Sequence, residues 1–241
     1  MASIRREYQI ISHLQEEKVI KVNSLISYGN GKPAIEMERF GISLAQHLAG
    51  FSNQVLPLDQ FFSIAIPLVK SLGKIHEKAI VHKDLVPRNI LVDPETLDIR
   101  LIDFSAASEL SREHQDVAIL NNIEGSLPYM APEQTGRMNR DIDYRTDYYT
   151  LGISFFEILT GKLPFEAKDA LEWVHCHISR QPPSAVSFNP SIPRMVSAII
   201  EKLLSKKCRR QVSEQLWLGV RFGKSEGKLP KRLKSNRLPI G

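Results

Sequence analysis

Apolar residues recur at helical spacing in several parts of this chain. From Ile4 to Leu14 they lie three or four positions apart, which predicts an opening amphipathic helix. The stretch 146–161 is apolar almost all round, so it predicts a buried helix that ends at Gly161. Further helices are predicted at 59–77, 168–179 and 193–204.

Short apolar runs bounded by turn residues predict a few strands. VIKV (19–22) and PAIEM (33–37) are linked through the turn-rich YGNGKP, and IRLIDF (99–104) is typical of a short buried strand that ends on an acid. From 104 to 128 the chain is polar and irregular, and a loop of that length is usually functional. The order is a little sheet first and then a mostly helical body, which predicts an α+β fold.

Composition narrows the class of protein. The 241 residues are 42% hydrophobic and 24% charged, as in ordinary soluble globular proteins. There is no uninterrupted run of eighteen apolar residues and no apolar run after the first arginines, so we expect neither a membrane span nor a secretory signal. Cys176 and Cys208 are too few for a disulfide framework, which favours a reducing cytoplasm.

The positive net charge comes entirely from the end of the chain. Residues 206–241 hold eleven Lys and Arg against two Glu, whereas residues 1–205 carry 21 basic and 25 acidic side chains, a net charge of −4. A basic tail is one route to nucleic-acid binding. This tail lacks interleaved aromatic residues and any motif that reads bases, so we expect no specific nucleic-acid binding.

Four ordered blocks carry the chemistry: HKDLVPRN (82–89), IDF (102–104), GSLPYMAPE (125–133) and TDYYTLG (146–152). In order and spacing they resemble the protein kinase superfamily. More narrowly, the text from Gly125 to Phe165 resembles the amino-terminal kinase domain of large bacterial sensor proteins. Those proteins continue into ATPase, GAF and histidine kinase modules, which are therefore possible partners. The resemblance covers residues 1 to about 207.

The resemblance implies a protein kinase-like fold with a nearly complete helical lobe. On that pattern residues 1–41 form a partial amino-terminal lobe of one helix, two strands and the hinge. Residues 42–205 form the carboxyl-terminal lobe, and residues 206–241 a basic tail. The implied reaction is transfer of the γ-phosphate of ATP, with Mg²⁺, to protein hydroxyl groups.

The resemblance also implies roles for individual residues. Asp84 would orient the substrate hydroxyl and accept its proton, while Asn89 and Asp103 would hold Mg²⁺ against the ATP phosphates. Lys83 stands where the family carries an arginine, and it keeps a cation that would meet a phosphorylated loop. The resulting catalytic set is Asp84, Asn89, Asp103 and Lys83, and the metal ligands are Asn89 and Asp103.

Other positions are implied to bind ATP or to support the site. The ATP-binding set is Glu7, Glu38, Arg39, Phe40, Asn89 and Asp103, in which the hinge from Glu38 to Gly41 would meet adenine through its backbone. Glu133 would brace the end of the activation segment, and Asp147 would anchor the catalytic loop from the buried helix. Ser126 stands where serine/threonine kinases carry a threonine, which favours Ser/Thr acceptors.

Two local departures and one at the start of the chain bear on activity. Val86 replaces a lysine that lies near the γ-phosphate, and Ser105 replaces a glycine that lets the peptide flip. Glu7 matches the helix glutamate that pairs with a lysine on a preceding strand, yet only six residues stand before it. We therefore expect no glycine-rich loop or ATP-binding lysine in this chain, impaired catalysis and a frayed amino-terminal lobe.

The end of the chain also departs from the family. Where relatives continue as A-E-D-R-Y-Q-S, this chain has KKCRRQVSEQLWLGVRFGK. Codons permitted from Cys208 onward include a path that spells the family's segment one base out of register. We interpret residues 208–241 as the product of a frameshift near Lys207, with a genuine basic tail as the alternative. In that case Glu133 would lack its arginine.

Three functions therefore stay open: an active serine/threonine kinase domain, a pseudokinase that binds partners, or a gene fragment without function. His175, Cys176 and His177 raise a fourth idea, a metal site. Residues two apart on a helix point to different sides, so we expect no metal there.

Overall fold

The described part of the chain comprises residues 2–14, 17–29, 31–110, 127–138 and 140–205 of a computed structural model. Its helices are α1 (Ala2–Leu14), α2 (Leu44–Leu48), α3 (Leu58–Glu77), α4 (Tyr144–Thr160), α5 (Ala170–Ser179) and α6 (Arg194–Leu203). Its strands are β1 (Val22–Tyr28), β2 (Lys32–Met37), β3 (Ile42–Ser43), β4 (Ile80–Val81), β5 (Ile90–Val92), β6 (Ile99–Leu101) and β7 (Ser108–Glu109).

The strands form three small antiparallel sheets. β1 pairs with β2 as a hairpin, β5 lies between β3 and β6, and β4 pairs with β7. The strands β4, β5 and β6 hold the two loops that carry the acidic motifs, because residues 82–89 join β4 to β5 and residues 102–107 leave β6. The two sheets that contain β4, β5 and β6 therefore bring these two loops together.

The predicted first strand was placed too early. The structure starts β1 at Val22, and residues 19–21 are not part of it. Val19 and Ile20 are buried, but Val19 forms only an isolated bridge to Leu101, and the Ile20 N–H donates to the Leu101 carbonyl oxygen at 3.0 Å. Val19 and Ile20 are apolar because they are buried against β6. The first strand of the hairpin is formed by the less apolar segment VNSLISY.

The helical body is built around α4. All but three of its residues are buried, and it ends at Gly161 in the left-handed conformation, as the sequence predicted. Its Asp143 N-cap accepts a hydrogen bond from the Arg145 N–H at 2.8 Å. Gly152 lets α6 pack closely, since a Cβ there would lie 2.9 Å from atoms of Leu203 and Leu204. The helix is the inner support of the lobe.

The predicted strand 99–104 is too long. β6 ends at Leu101, because Asp103 has φ +61° and a residue in that region cannot continue a strand. The other predicted helices lie within two residues of their observed bounds. Ser126 and the tail 206–241 lie outside the described residues. Within the described residues, no helix is long and apolar enough to cross a bilayer.

Candidate active site

Asp84 presents one carboxylate oxygen with no protein partner. The Asn89 Nδ2 amide donates to Asp84 Oδ2 at 2.7 Å and to the Asp84 carbonyl oxygen at 3.0 Å. Arg88 adds a weak contact at 3.5 Å to the same Oδ2. The Asp84 side chain is only 14% exposed, and its Oδ1 is buried without a hydrogen bond from any described residue. A buried acceptor left open in this way suits a hydroxyl donor from a bound molecule.

Asn89 links the two acidic loops. It lies in a short 3-10 turn, Pro87–Asn89, and its side chain is buried. Its carbonyl oxygen accepts a hydrogen bond at 3.0 Å from the Ile102 N–H, directly before Asp103. Both of its side-chain hydrogen bonds use the Nδ2 donor. Among the described residues no donor reaches the Oδ1 acceptor, which can therefore bind a ligand.

Asp103 also has one carboxylate oxygen available for a ligand. Its Oδ1 accepts hydrogen bonds from the Ser105 hydroxyl at 2.6 Å and from the Ser105 N–H at 3.3 Å. Its φ of +61° is a strained conformation for a residue with a Cβ, of the kind found at functional sites. Within the described residues its Oδ2 has no hydrogen-bond donor.

Asn89 and Asp103 thus offer oxygen ligands of the type that Mg²⁺ takes in proteins. In the described residues no group of three or more His, Cys, Asp and Glu side chains is arranged to hold a metal ion. A magnesium ion here would complete its coordination with phosphate oxygens and water, which is its usual mode beside nucleotides. The residues fit Mg²⁺ in the presence of a nucleotide.

Asp147 anchors the loop 82–89 from inside the helical body, as predicted. It is fully buried, and its carboxylate accepts hydrogen bonds from the His82 N–H at 2.9 Å and the Lys83 N–H at 2.6 Å. The His76 Nε2 lies 2.8 Å from its Oδ2 and completes the set. The sequence did not indicate His76, because its role depends on α3 and α4 lying side by side.

Glu7 has a different partner from the lysine implied by the resemblance. Its Oε1 accepts a hydrogen bond at 3.1 Å from the Phe104 N–H, so it contacts the loop of Asp103. Burial and the nearby negative charge of Asp103 raise the pKa of Glu7, although the Phe104 N–H acts against them. No ion pair to Glu7 occurs within the described part of the chain. The carboxylate is a backbone cap here and not one half of an ion pair.

The predicted hinge runs from Glu38 to Gly41, between β2 and β3. The Glu38 N–H donates to the Lys21 carbonyl oxygen at 2.9 Å, and the Glu38 carboxylate accepts from the Lys21 N–H at 3.0 Å. The backbone of Arg39 and Phe40 makes no hydrogen bond with the described residues, so it is available for a ligand. Gly41 is required, since a Cβ there would lie 2.1 Å from the Val92 carbonyl oxygen.

Lys83 and Glu133 belong to the support of the loop. Lys83 has φ +69°, and its carbonyl oxygen accepts a hydrogen bond at 3.1 Å from the Gln134 amide. The phosphorylated loop predicted to meet its side chain falls in residues 111–126, outside the described residues. The buried Glu133 accepts a hydrogen bond at 3.0 Å from the Thr146 hydroxyl. The segment that would supply its arginine lies outside the described residues.

His177 takes part in a hydrogen-bond chain that the sequence did not reveal. Its Nδ1 lies 2.9 Å from the Tyr149 hydroxyl, and its Nε2 lies 2.8 Å from the Leu127 carbonyl oxygen. Both ring nitrogens are therefore engaged by protein groups. The chain ties α4 and α5 to the turn Leu127–Tyr129, which follows the undescribed part of the long loop.

The comparisons with known proteins agree with this arrangement. A family model described as "Protein kinase domain" matches residues 1–219. The chain is 31% identical over 204 residues to the serine/threonine-protein kinase PrkC of Bacillus subtilis, which covers 84% of this chain and 30% of that protein. It is 26% identical over 216 residues to the probable serine/threonine-protein kinase PknB of Lactococcus lactis, covering 89% of this chain and 33% of that protein.

A further relative is a larger signalling protein. Hybrid signal transduction histidine kinase G of Dictyostelium discoideum is 28% identical, with 63% of this chain and 6% of that protein covered. The chain spans about a third of the length of the two bacterial relatives.

Proposed function

This chain belongs to the protein kinase family, and we propose that it is a serine/threonine kinase domain of a multidomain sensor protein, impaired when these 241 residues act alone. The relatives named serine/threonine-protein kinases support the acceptor class, and the hybrid histidine kinase supports the sensor setting. On this proposal the partners are ATPase, GAF and histidine kinase modules, and the domain works in the cytoplasm. The protein substrate stays open.

One observation carries the proposal: Asp84 has a buried, unpartnered Oδ1, its Oδ2 is held by Asn89, and the Asn89 carbonyl oxygen accepts from the Ile102 N–H directly before Asp103. ATP and Mg²⁺ would supply the phosphoryl group and the cation that neutralises its charge. Asp84 would orient the acceptor hydroxyl and take its proton, while the Asn89 amide keeps Asp84 Oδ2 in place. Asn89 Oδ1 and Asp103 Oδ2 would hold the cation. The Asp147 anchor keeps the whole loop rigid, which favours reactive geometry.

The impairment follows from Glu7 and its surroundings. The family's charge donor for the ATP phosphates is a lysine that pairs with this glutamate, whereas Glu7 contacts the Phe104 N–H and no cation among the described residues. Removing one preorganised charge donor costs roughly 3–4 kcal/mol, about 10²–10³ in rate. Val86, in place of a second cation, acts in the same direction.

A second candidate is a pseudokinase that binds a protein partner. It is favoured by the hydrogen bond from the Phe104 N–H to Glu7, which holds α1 against the loop of Asp103 with no cation among the described residues. On this reading the fold is retained and phosphotransfer is not. A gene fragment with no function as a separate chain is the remaining alternative.

A phosphotransfer assay on the 241-residue chain tests these candidates. With radiolabelled Mg-ATP and a serine/threonine-rich acceptor protein, we expect incorporation close to that of the matched Asp84→Ala variant. Clear turnover that disappears in Asp84→Ala would contradict impairment and make the chain an active kinase.

Nucleotide binding and unfolding distinguish the impaired kinase, the pseudokinase and the gene fragment. Titration calorimetry with Mg-ATP should give weak binding that falls further in Asp103→Asn, which removes one negative charge at nearly constant shape. A folded chain that binds no nucleotide would favour the pseudokinase. A chain with no cooperative urea unfolding would favour the fragment.

A further inference from the structure

A cluster of charged side chains lies against the hinge, outside the residues assigned to catalysis. We define the hinge cluster as Lys18, Glu38, Asp98 and Arg100. Lys18 belongs to the connection between α1 and β1, Glu38 to the hinge, and Asp98 and Arg100 to the start of β6. The cluster therefore joins three separate segments of the chain.

Arg100 is at the centre of the hinge cluster. Its Nη1 donates to Asp98 Oδ2 and to the Ile99 carbonyl oxygen, both at 2.7 Å. Its Nε lies 3.4 Å from Glu38 Oε1, an ion pair without hydrogen-bond geometry, and its Cζ lies 4.4 Å from the centre of the Phe40 ring. One guanidinium group thus contacts two hinge residues at once.

The cluster is more than a pair of solvated surface charges. The Arg100 side chain is only 14% exposed, and salt bridges between exposed side chains stabilise little by comparison. Burial raises the pKa of Asp98, but hydrogen bonds from Lys18 and Arg100 outweigh it and lower the pKa overall. Lys18 Nζ lies 2.6 Å from Asp98 Oδ1, so Asp98 itself is held from the other side. The contacts of Asp98 with Lys18 and Arg100 therefore fix the position of the Arg100 side chain against the hinge.

We propose that Arg100 is a positioning residue for adenine recognition: through Glu38 and Phe40 it holds the hinge backbone in place for the purine ring. The inference rests on the proposed kinase function and on the implication of the resemblance that the hinge meets adenine. Arg100 contacts the side chains of Glu38 and Phe40, while the backbone of Arg39 and Phe40 makes no hydrogen bond with the described residues. Fixing these groups beforehand lowers the entropic cost of binding.

The chemistry of Arg100 explains why lysine is not equivalent. The planar guanidinium can stack on the Phe40 ring while its Nη1 donates to Asp98 and its charge lies close to the Glu38 carboxylate. A lysine ammonium at this position keeps the positive charge but cannot make both kinds of contact in one orientation. Arg100→Lys should therefore hold the hinge less well than the native chain and better than Arg100→Met, which keeps only the aliphatic stem.

Amide hydrogen exchange on the full chain tests the positioning without any need for activity. The hinge amides to follow are those of Glu38 and Lys21, because the Glu38 N–H is bonded to the Lys21 carbonyl oxygen and the Lys21 N–H to the Glu38 carboxylate. In Arg100→Met we expect their exchange to be about tenfold faster, which corresponds to the loss of a partly buried stacking and ion-pair contact. In Arg100→Lys the increase should be smaller. Exchange in α3 and α4 should not change in either variant.

Arg180→Met is the matched control, because Arg180 also pairs with an acid, Glu172 at 3.1 Å, but on α5. It should leave exchange at the hinge unchanged. Equal hinge exchange in the native chain and Arg100→Met would overturn the proposal, and so would faster exchange throughout the molecule in both Arg100 variants.

Titration calorimetry then tests whether loss of the Arg100 contacts weakens binding of the adenine ring. We expect Arg100→Met to raise the Kd of Mg-ATP about three- to tenfold and to leave the Kd of Mg-tripolyphosphate, which has no adenine, unchanged. An equal loss for both ligands would contradict a role in adenine recognition.

If the native chain binds no ATP, the proposed function fails, and adenine recognition by the hinge fails with it. The exchange result then still decides whether Arg100 fixes the hinge backbone. The two failures are therefore distinguishable.

Discussion

Asp147 and Glu7 each fix a loop of the candidate site through hydrogen bonds from its backbone, but they differ in burial and in the number of donors. Each carboxylate accepts at least one backbone N–H from a loop that carries an acid of the candidate site, Asp84 or Asp103. Asp147 is fully buried and has three donors, whereas Glu7 is half-buried and has a single backbone donor. The pKa of Glu7 is raised by burial and by the charge of Asp103.

The difference shows that Asp147 is held in place by several buried contacts of the helical body, whereas Glu7 has much less support. Asp147 projects from a helix packed on all sides, so its position is set by the core. Glu7 projects from α1, which packs on a two-stranded sheet whose residues Ile26 and Met37 are each 41% exposed. Four predictions test this contrast.

The largest effect should come from removing the Asp147 anchor. Asp147→Ala leaves the His82 and Lys83 N–H groups buried without acceptors, so we expect the free energy of unfolding to fall by about 3–5 kcal/mol. Urea unfolding followed by circular dichroism measures it. Asp147→Asn, which keeps one oxygen acceptor, should cost less. A loss below about 1 kcal/mol in the alanine variant would contradict the anchor role.

Native-state hydrogen exchange compares the two regions directly. We expect amides of β1 and β2 to open with a free energy at least about 2 kcal/mol below that of amides in α4, because an isolated hairpin is marginal in water. Strong protection throughout residues 4–37, equal to that of α4, would show that the amino-terminal segments are not frayed.

A smaller loss should follow from enlarging Gly152. Because a Cβ at this position would lie 2.9 Å from Leu203 Cβ, Gly152→Ala should force α4 and α6 apart and cost about 1–3 kcal/mol. Thermal unfolding measures the loss. Gly73→Ala in α3 is the matched control, since a Cβ there meets no atom within 4 Å, and it should not destabilise the fold.

The smallest effect should come from Glu7→Gln, which keeps an oxygen acceptor for the Phe104 N–H. Because the folded-state pKa of Glu7 is raised, the native chain binds more protons than the unfolded chain between the ordinary and the raised pKa. The contribution of Glu7 to the free energy of unfolding therefore falls as pH rises through that window. Glu7→Gln has no titrating carboxylate at this position, so it should not show this fall.

Urea unfolding of both proteins at a series of pH values tests this prediction. At neutral pH we expect no loss in Glu7→Gln and a gain of less than about 1 kcal/mol. A clear loss at neutral pH would mean that the charge of Glu7 is itself stabilising, and that it has a cationic partner.

Local patterns allowed much of the fold and site to be predicted. The helices α1, α3 and α4 follow from apolar spacing, and the end of α4 follows from Gly161. The role of Asp147 as an anchor was inferred from the resemblance, and the hydrogen bonds to His82 and Lys83 confirm it. The start of β1 was wrong, because Val19 and Ile20 are apolar for burial against β6.

By itself, the sequence determined the order of the acidic motifs, the helical body and the family, because these depend on residue types at short spacing. Only the tertiary structure decided that Arg100 meets Glu38 and Phe40, that His76 joins Asp147, and that Glu133 finds Thr146. The physical reason is that buried charges and polar groups take partners from whichever segments the packing brings near. Such partners leave no periodic trace along the chain.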